Sequence, residues 1–314
     1  MRPLRISNAA LAPVAILLLL GVMWGGSFSL AKLARLGDVH PFALMFWQSA
    51  GGAAIVALFG LARGALGGLR PRHMGFFLVT GLLAIVIPST TIYWAAAAVP
   101  AGVLSMLVTT APMLTYGLAL ATGIERKSPL RAAGIALGFV AVALIVLPRG
   151  SLPDRASAGW VLIGLIAPVC YAASNLFIAH FRPSGASSAA LAAGMLGTSA
   201  LVGLPLMLAT GSGYLPGSPW RTADIAVLLL PVITGIAHIF VFKLIHMAGP
   251  VYFSQVGYFV TLAGIVWGMV LFGERHGPWI WAALALMFAG LALVNLRREA
   301  AVTRAAPDHE GGTP

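Results

Sequence analysis

Glu125-Arg126-Lys127-Ser128-Pro129 is answered later in the chain by Glu274-Arg275-His276-Gly277-Pro278, at an offset of 149. The same offset lays Ala133 on Ala282, Ala136 on Ala285, Leu137 on Leu286 and Phe139 on Phe288, and it lays Ala143, Leu144 and Leu147 on Ala292, Leu293 and Leu296. Alanine and leucine coincide by chance in so apolar a chain. A charged pair followed three residues later by proline does not. The stretch 89–147 is therefore written again as 238–296, and an internal repeat of that size sets the architecture before any shorter motif does.

Composition says where the repeat lives. Of the 314 residues 60% are hydrophobic and 9% are charged, and the mean hydropathy is +0.95. Soluble chains carry roughly 25% charged residues, so this chain belongs in a bilayer. The net charge of +11 is spread along loops, without aromatic partners or a basic stripe, which argues against nucleic-acid binding and for topology signals. One cysteine, Cys170, excludes an internal disulfide and a multi-cysteine metal site. No metal or cofactor is expected. Arg2 and Arg5 ahead of the apolar run 11–20 imitate a secretory signal, but the run continues to residue 31 with no small-residue cleavage site, and reads as a first spanning helix.

About 20 apolar residues span hydrocarbon as a helix. The runs 11–31, 42–62, 75–98, 102–123, 130–147, 159–179, 189–209, 225–242, 251–272 and 279–296 give ten such spans. Between His73 and Glu125 there is no acidic or basic residue except the imidazole itself, so a turn is needed at Val99-Pro100-Ala101-Gly102, and its counterpart is expected at Gly249-Pro250. With the N-terminus in the cytoplasm, Lys32, Arg35, Arg149, Arg155, Arg221 and Arg275 fall outside and the other 13 of 19 basic residues inside. Both termini are thus expected in the cytoplasm of an inner-membrane protein. Ten spans in two copies make five each, an odd number, so the second copy enters upside down. The expected fold is an all-α integral membrane protein, two inverted five-helix repeats (11–147 and 159–297) around a central cavity, with a disordered cytoplasmic tail at 299–314. Inverted repeats are how many secondary transporters build two gates around one site.

Polar side chains inside hydrocarbon need a cavity or a partner helix. Ser105, Thr109, Pro112 and Tyr116 recur at spacings of four, three and four, on one face of the fourth span. The offset carries Ser105 to Ser254, Thr109 to Tyr258 and Pro112 to Thr261, with Gln255 beside them. Ser89 and Tyr93 on the third span map to His238 and Phe242 on the eighth. The first and sixth spans set Trp24, Ser27, Phe28 and Ala31 against Tyr171, Ser174, Asn175 and Ile178, and Gln48 is the strongly polar side chain deep in the second. The candidate substrate-binding residues are Trp24, Ser27, Gln48, Ser89, Tyr93, Ser105, Thr109, Tyr171, Asn175, His238, Phe242, Ser254, Gln255 and Tyr258. Plainer roles stand beside these. Ser and Thr can bond their own preceding turn, Gln48 and Gln255 can join helices, Trp24 and Tyr116 can be packing aromatics, and His238 can be a satisfied buried histidine. Lys32 and Lys243 are expected to snorkel to opposite interfaces. The small-xxx-small pairs Gly134/Gly138 and Gly264/Gly268 predict close helix packing.

These residues resemble the EamA-type drug/metabolite transporter superfamily. The likeness covers 11–297 and rests on Trp24-Gly-Gly-Ser-Phe in the first span and on Glu-Arg before the last helix of each copy, as in Gly273-Glu-Arg-His-Gly-Pro and Gly123-Ile-Glu-Arg-Lys-Ser-Pro. The first copy keeps the family's proline at Pro112, where the second has Thr261. The resemblance implies a ten-helix exporter of small metabolites, with spans 1–4 and 6–9 around the cavity and 5 and 10 peripheral. The expected function is export of small metabolites, aromatic or neutral amino acids first, by alternating access; the partners are that solute and the lipid bilayer, and the sequence assigns no oligomeric state. All eight acids lie in loops, at span ends or in the tail, which leaves no mid-membrane carboxylate for a proton relay and leaves facilitated export or coupling through His238 open. An integral-membrane enzyme is the rival reading, but His73, His180 and His246 have no spacing that joins them into a site.

Overall fold

Hydrocarbon offers no water to an unpaired amide, so each apolar run must close its hydrogen bonds within itself as a helix. The computed structural model describes residues 8–67, 70–148 and 152–304, with backbone alone at 8–11, 242, 249–251, 254 and 296–304. Its helical spans, numbered in chain order, are α1 (Asn8–Leu36), α2 (Pro41–Ala62), α3 (Pro71–Ala95), α4 (Ala101–Ala121), α5 (Pro129–Val146), α6 (Ala156–Phe181), α7 (Ser188–Ala209), α8 (Thr222–Ser254), α9 (Val256–Phe272) and α10 (Pro278–Arg304). Nine of them carry a window long and apolar enough to cross a membrane, and α9 is a shorter apolar helix. There is no strand among the described residues.

Helix ends follow local chemistry. Proline opens α2, α3, α5 and α10, where its missing N–H costs nothing. Ser187 caps α7 by accepting the Ala190 N–H at 3.0 Å. Gly273 closes α9 in the left-handed region at φ 62°. Inner prolines loosen the ladder ahead of them. A π-turn at Leu82–Val86 precedes Pro88, α4 is interrupted at Thr109 and Thr110 before Pro112, and α6 at Leu165 before Pro168. At Thr261, the counterpart of Pro112, α9 is unbroken, and the Thr261 hydroxyl donates to the Gly257 carbonyl at 3.0 Å.

Packing makes the repeat visible. The pairs α1–α9, α1–α8 and α2–α8 have counterparts α6–α4, α6–α3 and α7–α3 on exchange of the first five helices with the last five. The pairs α2–α7, α4–α9 and α5–α10 map onto themselves. Equivalent helices therefore cross on the pseudo-twofold axis, and they cross antiparallel. Along α2 and α7, Met45 meets Gly203 and Gly52 meets Leu196. Along α4 and α9, Gly102 meets Gly268, Ser105 meets Gly264 and Thr109 meets Thr261. The second copy is upside down, as the odd span count requires. The predicted close packing of glycines is present: a Cβ on Gly134 would lie 2.7 Å from the Gly290 carbonyl oxygen, and one on Gly138 2.4 Å from the Met113 sulfur.

Two expectations are corrected. Helical backbone runs through Gly249-Pro250 to Ser254, so no break in the helix marks the turn expected there. The chain nevertheless reverses in this neighbourhood. Ala223 lies at Gly37 and His238 at Trp24, antiparallel to α1, whereas Phe259 lies at Gly21 and Trp267 at Gly26, parallel to it. Neighbouring helices can satisfy carbonyls that a membrane proline frees, which weakens proline as a stop signal. The second correction is at the C-terminus, where helical backbone continues to Arg304, into the stretch expected as disordered tail; 305–314 lie outside the described residues.

Candidate functional site

Four helices, three from the first copy and one from the second, bring polar and aromatic groups together within the membrane span. His238 on α8 stands one turn after Thr234, and its Nδ1 lies 2.7 Å from the Thr234 carbonyl oxygen. A carbonyl only accepts, so Nδ1 carries the proton and Nε2 of the neutral ring is left as an acceptor. The Trp24 ring of α1 meets His238 edge-on at 6.5 Å between centroids and meets Phe253 at 6.2 Å. From α2, Gln48 donates through Nε2 to the Thr234 hydroxyl at 3.0 Å, and the Tyr93 hydroxyl of α3 donates to Gln48 Oε1. A hydrogen-bonded chain thus runs α3–α2–α8 to the Thr234 hydroxyl, and the backbone carbonyl of the same residue holds the imidazole beside Trp24. Tyr93 is buried, whereas Trp24, Gln48 and His238 each keep part of their surface unpacked. Every polar side chain in this group is an amide, phenol, hydroxyl or imidazole, with no carboxylate or ammonium among them.

Of the remaining candidates, Ser89 and Tyr171 lie beside Tyr93, and the others fall elsewhere. Ser89 is buried one turn before Tyr93, and Tyr171 is half-buried against the same core. Asn175 is exposed and reaches the Thr115 hydroxyl at 3.4 Å. Ser27 donates to the Trp24 carbonyl at 2.6 Å. Ser105 and Thr109 are buried in the α4–α9 contact: Ser105 Oγ donates to the Gly102 carbonyl at 2.7 Å, and the Thr109 hydroxyl meets that of Thr261. Tyr258 packs edge-on against Phe288 of α10 at 5.0 Å, in a cluster with Met113 and Tyr116. Half-buried Gln255 ends α8. The side chains of Phe242 and Ser254 lie outside the described residues.

Lys32 does not snorkel. Its Nζ lies 2.7 Å from Glu274 Oε1, with Phe272 beneath it at 4.8 Å. A lysine so near a carboxylate in a partly dry site stabilises itself better by pairing than by stretching to an interface. Lys243 is exposed. Two functional groups escaped the sequence reading. Thr234 ties Gln48 to His238 and could have been found as the residue one turn before a membrane histidine. Glu274 sits in a loop, where nothing signals that its carboxylate turns inward.

Two other features offer no chemistry. A hollow of 110 Å³ between α4, α5 and α6, walled by Met113, Leu114, Ile135 and Phe139, is apolar. Among the described residues no three metal-ligating side chains converge.

With this geometry in hand, comparison with known proteins is direct. The sequence matches the EamA-like transporter family twice, over 11–147 and 158–296. A solved crystal structure, described only as that of a protein, is similar over 92% of this chain and 98% of its own, with a TM-score of 0.62 and 20% identity. That identity speaks for the fold alone. Comparison with curated proteins finds no match.

Proposed function

Since the chain belongs to the EamA-like transporter family, whose members move small molecules across membranes, we propose that it exports small neutral metabolites, amino acids first, by alternating access. The observation that carries this reading is the hydrogen-bonded chain Tyr93–Gln48–Thr234–His238 beside the Trp24 ring. It holds no carboxylate or ammonium, so a solute with a large net charge would lose its hydration there without a strong counter-ion. An ammonium or amide N–H of the solute finds an acceptor in His238 Nε2, and an apolar side chain finds the aromatic faces of Trp24 and Phe253. The Thr234 carbonyl orients that acceptor, while Tyr93, Gln48 and the Thr234 hydroxyl bond one another beside it without bringing a charge.

Orientation follows from the charge asymmetry. Thirteen basic residues against six favour an inner-membrane protein with both termini in the cytoplasm. Transport from the cytoplasm then requires the site to face one side and the other in turn, which the inverted repeat makes natural, because each mouth is built from equivalent helices.

Counterflow in liposomes of the purified protein, with a panel of labelled neutral, aromatic and charged amino acids, tests the reading. Neutral and aromatic substrates should exchange. His238→Ala and Gln48→Leu should lower that exchange by about tenfold or more, the worth of one or two buried hydrogen bonds, while the protein still elutes as a single folded species. Tyr258→Ala, which alters the α9–α10 contact, should lower exchange less than either. Exchange by none of the panel, or undiminished exchange by His238→Ala, would overturn the assignment.

A further inference from the structure

Glu274, in the loop between α9 and α10, turns its carboxylate onto the first turn of α4. Oε1 accepts the Ala101 N–H at 2.7 Å and Oε2 the Gly102 N–H at 3.2 Å, while Lys32 of α1 donates to Oε1 at 2.7 Å. The carboxylate thus completes the start of α4, whose flanking residue Pro100 supplies no side-chain cap. Both charged groups are largely out of water, with side-chain exposures of 17% for Lys32 and 6% for Glu274. Two free amides and a cation meeting one anion satisfy the helix terminus and its dipole together. The contact also joins the two repeats: α1 and α4 belong to the first copy, and Glu274 to the second.

The other mouth of the bundle is built differently. At the repeat offset Glu274 corresponds to Glu125, and at the offset of the first and sixth spans Lys32 corresponds to Ala179. The cation is therefore missing from the second copy. Glu125 is 42% exposed and, among the described residues, pairs with Arg131 of its own half at 3.1 Å.

We propose that Lys32, Glu274 and the start of α4 form an ionic latch that shuts one mouth of the transporter and parts in each cycle, while the opposite mouth closes without such a pair. The proposal rests on the transporter reading given above. The chemistry suits a contact that opens. A buried ion pair recovers in attraction about what it loses in desolvation, so its two charges can separate into water at little net cost, whereas an apolar plug would expose its surface on each opening. Withdrawal of the Glu274 loop and the end of α9 from α4 would uncover Gly102 first and then Ser105, one turn deeper against Gly264.

Thiol labelling tests the latch without any substrate, so a protein that carried none of the solutes tried would not affect the result. Ser105→Cys in a Cys170→Ser background reports on the mouth, and the otherwise unaltered chain, with Cys170 alone, reports on general loosening. Each is placed in liposomes and treated with a membrane-impermeant maleimide from either side. Lys32→Met and Glu274→Gln should each raise the labelling rate at Ser105→Cys about tenfold, the population change that one lost charge-assisted hydrogen bond brings, from one side of the membrane and with the Cys170 rate unchanged. No rise at Ser105→Cys, a rise from both sides, or an equal rise at Cys170 would overturn the proposal.

Discussion

At the scale of single residues, the tightest demands fall on glycines that let α1 lie against α9. A Cβ on Gly25 would stand 2.7 Å from the Ala263 Cβ, the Gly264 nitrogen and the Val260 carbonyl oxygen at once. Two of those three atoms are backbone and cannot step aside. Gly25→Ala must therefore push α9 away, and overpacking of this kind costs about 1–3 kcal/mol. Gly75 on α3 has nothing within 4 Å of an added Cβ, so Gly75→Ala should be neutral or stabilise by up to about 1 kcal/mol through lost unfolded-state freedom. Thermal unfolding of the two variants in one detergent measures the contrast, and equal melting points would show that the α1–α9 contact yields more easily than its geometry implies. In the sequence Trp24-Gly-Gly-Ser-Phe carried the family resemblance and did not announce this contact. The identity of the residues facing Gly25 depends on how α9 is docked, and periodicity carries no information about docking.

Single elements show how far pattern reading reaches. Apolar runs locate the helices because a span must be about as long as the hydrocarbon is thick, and the proline at the start of α2, α3, α5 and α10 marks its first turn. Pattern also joined Ser89 to Tyr93 as one face. It did not connect Tyr93 to Gln48 or Gln48 to Thr234, because spacing along one helix says which residues share a face and not which helix that face meets. Ser105 and Thr109 show the converse: a polar stripe was legible, yet the stripe closes against α9. Loops were the least legible, and two of them carry histidines that burial perturbs. Burial holds the His276 imidazole below the ordinary histidine value, and Lys32 adds to this while Glu274 opposes it. Burial, then Arg35, lowers His40 in the same direction, and its Nδ1 must stay unprotonated to accept the Phe42 N–H at the start of α2. For both groups the unfolded chain takes up a proton before the folded one does. Stability is therefore full above the ordinary histidine pKa of about 6.5 and falls as pH drops below it, until the lowered folded values are reached. Melting temperature should fall between about pH 7.5 and pH 5, a window above most carboxylate titration, and His276→Gln should fall less than the unaltered chain. Parallel curves for the two would remove His276 from the account.

For the whole molecule, the decisive quantity is the parity of the helices in each copy. Five helices carry the chain from one side of the membrane to the other, so every loop of the first copy has its counterpart on the opposite side. Contacts between loops agree with this. Ser187, between α6 and α7, bonds the carbonyl of Gly67, between α2 and α3, at 3.0 Å. At the far end Ser157, at the start of α6, bonds the Ala98 carbonyl between α3 and α4 at 2.9 Å. Antiparallel crossings of α2 with α7 and of α4 with α9 require the same arrangement. The repeat that opened the argument supplies the test, since Arg126 and Arg275 occupy equivalent places and both are exposed. In cells and in inverted membrane vesicles, with Cys170→Ser as background, Arg126→Cys and Arg275→Cys should react with an impermeant thiol reagent from opposite sides. The charge asymmetry further predicts that Arg275→Cys reacts in intact cells and Arg126→Cys in inverted vesicles. If the assignment were simply reversed, the inverted repeat would stand and the orientation with cytoplasmic termini would fall. Reaction of both from one side would contradict the fold itself, because no odd number of crossings returns the chain to the face it left.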